Sequence, residues 1–239
     1  MPKIIVAYDG TPHAEDALAL ARSLGALLGA RIDLAYVYRA DPSNRPPSDV
    51  VRGREQFLRR EAATLLSRAS GFDPGAPVAR HAIAGTTTAS ALRELADREH
   101  AELIVFGSAH DGAAGRVHPG SAARRLLQSA HCAVAIAPDG FRKRALADAL
   151  FAAVAHDDPE RSARRSADAL AARAKGTVSE DASEHADLLI VGSSGHASAG
   201  RVQTSASADR LIRASRVPVV VLAREHALGD ADARGAQAA

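Results

Sequence analysis

Between Gly107 and Ser121 the chain reads GSAHDGAAGRVHPGS, with glycines at 107, 112, 115 and 120 and a Gly-Ser pair at its end. Glycine serves where a backbone takes positive φ or approaches a ligand with no Cβ in the way. A Gly-Ser pair opening a helix offers N–H groups, a favourable dipole and a hydroxyl to a phosphate. Such a stretch is either a phosphate cradle or a long surface turn with an ordinary N-cap at Ser121, and glycine spacing alone does not choose. Arg116 inside the loop is a phosphate partner or a solvated arginine. His110 and His118 invite a metal or general-base role, but their spacing supplies no third ligand of convincing geometry. Asp9, in VAYDGTP, is a site carboxylate or the start of an Asx turn. Cys132 opens an apolar strand and reads as core, with no basic partner to activate it. No GxxxxGK, kinase set or defensible Ser-His-Asp order is present, so no catalytic residue is assigned.

The elements around these residues alternate. Lys3–Tyr8 (KIIVAY) is a short β-branched run, and Thr11-Pro12 is a helix start, with a capping hydroxyl and proline in the first turn. Ala14, Ala17, Leu18, Ala21 and Leu28 share one helical face, and Gly29 ends it. Arg31–Tyr38 reads as a second strand and Asp41–Pro47 as a loop, followed by a charged helix over 49–70. Val78–Ile83 is a third strand, Thr86–Thr88 offer caps for a helix to Glu99, and Ala101–Phe106 is a fourth strand. The glycine loop leads to a helix over 121–129 and a fifth strand, Cys132–Ala137. Apolar strands alternating with helices predict an α/β fold, a doubly wound parallel five-stranded sheet sandwiched by helices. Gly107 then leaves the carboxyl end of strand four, beside Asp9 at the end of strand one, where the strand order of such a sheet reverses.

The loop recurs as GSSGHASAGRVQTSA from Gly192, 85 positions after Gly107. Upstream, VAHDDPE places Asp157 148 positions after Asp9, so the second half is 63 residues shorter over this span. The missing span covers most of the second strand, the long second helix, the third strand and the third helix. The expectation is a complete domain over 1–140, a truncated repeat over 141–224 and a disordered tail over 225–239. Half a sheet buries too little surface to stand alone and should lean on the first domain.

Composition narrows the partners. The net charge of +2 argues against a general nucleic-acid or anionic-membrane binder. Aromatics at 3% with no tryptophan leave little for base stacking. One cysteine excludes an intrachain disulfide and suits a reducing compartment. No apolar run approaches a membrane span, and MPKIIVAYDG enters a strand with no signal peptide, so a cytoplasmic location is expected.

VAYDGTP, GSAHDGAAGRVHPGSAARRLL and HCAVAIAP together resemble a universal stress protein domain over residues 1–138, and the resemblance recurs in shortened form over 145–224. Nucleotide-binding members of that family carry Gly, two residues, Gly, nine residues, Gly, then Ser or Thr. Gly107 matches the first glycine and Gly120-Ser121 the closing pair, while His110 stands where the second glycine is expected. The resemblance implies ATP, with or without Mg2+, held by Gly107, Ser108, His110, Gly112, Gly115, Arg116, Gly120, Ser121, Ala122 and Ala123. Ala7, Tyr8, Asp9, Val37 and Phe106 would line the adenosine side. It also implies pairing of the last strands, CAVAIA with PVVVLA as an intrachain pseudo-dimer or between chains in a homo-oligomer, and an unidentified protein partner. In the second half Gly192 and Gly195 keep the pattern, but Ser205-Ala206 replaces the closing pair and Asp158 adds negative charge, so no nucleotide is expected there. With no general base beside the phosphates, any hydrolysis should be slow. The competing expectations are a stress-response module switched by ATP, a member acting only through dimerisation and partner contacts, and an enzyme of the wider adenine-nucleotide hydrolase class.

Overall fold

The computed structural model describes residues 1–39, 48–69, 78–144, 146, 151–154, 161–179 and 186–229. Strand β1 (Lys3–Ala7) feeds α1 (Pro12–Leu28), where the Thr11 hydroxyl accepts the Ala14 N–H at 3.3 Å and Gly29, at φ 61°, ends the helix. Then come β2 (Arg31–Arg39), α2 (Ser48–Ser67), β3 (Arg80–Gly85) and α3 (Thr88–Glu99). Of the three candidate threonines, Thr87 is the cap, accepting the Ser90 N–H at 3.1 Å. Next are β4 (Leu103–Gly107), α4 (Ser121–Leu126), β5 (Ala133–Ala137) and a 3₁₀ turn at Phe141–Lys143. The second half contains β6 (Phe151–Val154), α5 (Ser162–Arg173), β7 (Thr177–Ser179), β8 (Leu188–Val191), α6 (Ala206–Ala214) and β9 (Val219–Val221).

The sheet does not stop at five strands, nor does the second half build one apart. All nine strands form one sheet in the order β3-β2-β1-β4-β5-β9-β8-β6-β7, parallel throughout except where β5 meets β9. The reason is the edge of β5, whose backbone groups would be unpaired without β9. Ala135 faces Val220 at the centre of this antiparallel ladder, with Val134 opposite Val221 and Ile136 opposite Val219. Val220 lies 85 positions after Ala135, the same offset that relates the two glycine loops. The ladder therefore reads the same from either side. The flanks repeat this reciprocity: the Val117 N–H donates to the Ser215 carbonyl at 2.9 Å, and the Val202 N–H to the Ala130 carbonyl at 2.8 Å. Strand β7, only three residues long, was not anticipated from the sequence.

Helices cover both faces. On one, Leu18 and Leu24 of α1, Leu66 of α2 and Leu170 of α5 join the core that contains Ile4 and Val6; on the other, Leu92 of α3, Leu126 of α4 and Ile212 of α6 join the core that contains Ile5 and Ile104. Two buried carboxylates tie elements together. Asp16 on α1 accepts the N–H groups of Gly140 and Arg142 and pairs with the Arg142 guanidinium at 3.1 Å. Asp33 on β2 accepts from Arg31 at 3.1 Å and lies 3.4 Å from His81 Nε2.

Residues 225–229, the start of the expected tail, are placed by the structure. Leu228 is 4% exposed, its N–H donates to the Ser166 hydroxyl at 2.8 Å, and it joins the core of α1 and α5. The rest of that tail, the Asp41–Pro47 loop, Asp157 and Asp158 lie outside the described residues. Among the described residues, no helix is long and apolar enough to cross a membrane.

Candidate functional site

Strand order reverses between β1 and β4, whose connections leave on opposite faces of the sheet. At the carboxyl ends of such strands an open α/β sheet forms its crevice. A cleft of about 380 Å³ lies there. Ala7, Tyr8 and Asp9 from the end of β1, Val37 from β2, Phe106, Gly107 and Ser108 from the end of β4, and Ala122 from α4 all line it. Thr11, His13, Ala14, Ala35, Tyr36, Thr88 and Leu92 also line it and were not singled out. Thr11, His13 and Ala14 directly follow Asp9 at the α1 start, so proximity in sequence was an available signal. For Thr88 and Leu92, brought in by α3, none was.

Asp9 starts an Asx turn at the rim of the cleft. Its Oδ1 accepts the Thr11 N–H at 3.1 Å and the Thr11 hydroxyl at 2.6 Å. Its Oδ2 keeps no partner among the described residues. The Tyr8 hydroxyl donates to Glu15, and burial followed by that hydrogen bond pushes its pKa well above the usual range. Tyr8 therefore offers its ring to the cleft rather than a proton.

The glycine loop divides by function. Gly107 is needed for packing, because a Cβ there would collide with the His13 carbonyl at the start of α1. Gly115 takes φ 70°, and Gly200, its counterpart in the second loop, takes φ 71°. A conformation shared by both loops belongs to the turn itself rather than to a ligand. Gly112 fits closely under His118, where a Cβ would stand 2.5 Å from the His118 Cβ.

Two of the expected residues have side chains engaged within the protein. Ser108 is 3% exposed, donates to the Ala137 carbonyl at 2.8 Å and accepts the His118 N–H at 3.0 Å. Ser193 makes the same knot with the Leu222 carbonyl and the Gln203 N–H. The serine of each Gly-Ser step thus folds the loop, and its hydroxyl is spent. Arg116 reaches out to the Ala214 carbonyl at the end of α6, at 3.3 Å, so its guanidinium braces the two halves instead of facing the cleft. Ala123 is on the buried face of α4.

The helix starts differ between the halves. Gly120, the N-cap of α4, supplies no side-chain hydrogen bond, and Ser121 is exposed. At α6 the Ser205 hydroxyl accepts the Ala208 N–H at 3.2 Å, so that helix is capped from within. First-turn N–H groups lack intrahelical partners. Those of α4 are left without a side-chain cap, while α6 fills one of its own.

His110 and His118 do not form a metal pair. His110 Nδ1 sits 3.2 Å from His13 Nε2, joining the loop to the start of α1, and His118 lies 3.6 Å from Asp111. His13, Asp16 and Asp139 come within 4.8 Å of one another. Arg142 already neutralises Asp16, so that corner is satisfied by a guanidinium. Cys132 sits in the wall of the core, where burial pushes its thiol up to about 12.

A model of the universal stress protein family matches residues 1–138. A universal stress protein of Thermus aquaticus, described by its place in the QAH/OAS sulfhydrylase 3' region, is 29% identical over 131 residues, 55% of this chain and 94% of its own. Among solved structures, a universal stress protein from Archaeoglobus fulgidus DSM 4304 aligns with 93% of this chain and 98% of its own at 17% identity, with a TM-score of 0.61. One described as a universal stress protein from Pseudomonas aeruginosa UCBPP-PA14 covers 93% of each chain at 14% identity and a TM-score of 0.59. These likenesses extend the fold across both halves.

Proposed function

The chain belongs to the universal stress protein family, and from that membership we propose that it binds an adenine nucleotide, ATP alone or with Mg2+, at the β1–β4 cleft and acts as a regulatory module in a stress response. The base and ribose occupy the space between Asp9, Val37 and Phe106. The phosphates run to the first turn of α4, where the Gly120 and Ser121 amides and the Ser121 hydroxyl receive them. ATP brings the negative charge that an uncapped helix start favours. The observation that carries this is the contrast of helix starts: α4 has no side-chain cap beside a full cleft, whereas α6 is closed by Ser205. The second half, an abbreviated copy docked through β9, then binds no nucleotide and covers the β5 edge. Among the described residues no side chain along the phosphate path is set up as a general base, so turnover is slow or absent.

Isothermal calorimetry with ATP, with and without Mg2+, tests the proposal. Heat saturating at sub-millimolar ATP supports it, and its absence removes it. A second possibility is a member that binds no nucleotide and works through protein contacts. It is favoured by His110, which stands at a glycine position of the family loop and rests on His13, and by Gly107, whose lack of a side chain is explained by packing alone.

A further inference from the structure

Beside the cleft, a second concavity of about 630 Å³ runs between α3 and α4. Its chemistry is different. Arg93 enters from α3, and Arg124 and Arg125 enter from α4. None of these three arginines has an ion-pair partner among the described residues, and no acidic residue lines the groove. Of the acidic residues near Arg93 on α3, Glu94 is exposed and does not line the groove, and Asp97 is engaged by His131 at 3.1 Å. Three guanidiniums from two walls, with no internal counter-charge, form a receptor for carboxylates, since each guanidinium offers a planar fork matched to a carboxylate.

We propose that the α3–α4 groove docks an acidic peptide segment of a partner protein. Its volume falls within the roughly 300–1,000 Å³ of ligand-sized clefts. No aromatic side chain lines it for base stacking. Among the described residues, the exposed large apolar side chains, Met1, Phe57 and Leu211, do not line the groove. The groove and the cleft meet along consecutive residues: Thr87 and Ser121 line the groove, Thr88 and Ala122 the cleft. A bound partner would therefore lie against the face proposed to hold nucleotide. Docking itself does not depend on that proposal, because it is measured with no nucleotide present.

Fluorescence anisotropy of a labelled poly-glutamate peptide at about 50 mM salt, where surface charges are only partly screened, provides the test. Arg93→Glu/Arg124→Glu/Arg125→Glu should weaken binding at least about tenfold. Lys143→Glu/Lys175→Glu/Arg201→Glu, an equal charge change at exposed sites elsewhere, should leave affinity within about twofold. Circular dichroism checks folding, and a triple Arg→Gln variant replaces the reversal if that protein does not fold. Equal loss in both sets, no loss in either, no binding by the native protein, or displacement of the peptide by poly-uridine RNA or phosphatidylglycerol vesicles overturns the proposal.

Discussion

At Gly120 the backbone holds φ −68° and ψ 174°, a region open to any residue, and a Cβ would stand 3.5 Å from the Ala109 Cβ. The fold therefore tolerates a side chain there, while a phosphate at the α4 start would not tolerate a large one. Gly120→Leu is expected to lose ATP binding by at least about tenfold in calorimetry with little change in thermal stability. Gly107 is the opposite case, since a side chain there strikes α1 whether or not a ligand binds. Asp33 supplies a pH dependence. Burial alone would raise its pKa, but hydrogen bonds from His81 and Arg31 outweigh it and hold the carboxyl below its usual range. Its stabilising contribution is thus present above the unfolded value of about 3.9 and is lost as pH falls through the lower folded value. Asp33→Asn should destabilise at pH 7 by about 1–2 kcal/mol, the scale of hydrogen bonds to a charged group reduced because Arg31 is partly exposed to solvent. In urea denaturation the gap from the native protein should narrow towards pH 3.

At the scale of elements, the two loops share one design and diverge at their helix starts. Ser205→Ala removes a cap and should cost about 0.5–2 kcal/mol, read as a fall in Tm of a few degrees, while leaving ATP affinity unchanged. The β5–β9 ladder is short, and its central pair is Ala135 with Val220. Val219→Pro, opposite Ile136, takes a donor from this ladder, a position inside a sheet that proline does not tolerate. Amide exchange in both β5 and β9 should accelerate at least about tenfold as that join opens. The strands and helices of the first 138 residues were legible because apolar runs, Thr11-Pro12 and Gly29 each carry a local physical signal. Strand β7 was not, since Thr177–Ser179 has one apolar residue and is a strand only because β6 lies beside it. The cleft was half legible. Asp9 and Gly107 mark strand ends, but Ser108 and Arg116 carry no local sign that backbone carbonyls of β5 and α6 claim their side chains.

For the whole molecule, no local signal shows that two unequal halves share one sheet; the pairing of CAVAIA with PVVVLA was implied only by the family resemblance. Alternation of elements predicts layers, but it does not say whose edge meets whose. The tail shows the same limit, because a polar and alanine-rich composition hid Leu228, which completes the seam of α1 and α5. Leu228→Ala should cost about 2–5 kcal/mol, the range for emptying a buried leucine site, and lower Tm accordingly by differential scanning calorimetry. The join at β5 and β9 has a consequence of its own. Where two separate chains meet edge to edge about such an axis, dilution pulls them apart. Here both strands belong to one polypeptide, so each faces a permanent local concentration of its partner set by the connecting chain. This contact stays closed at any abundance of the protein, and a cell cannot tune it by making less.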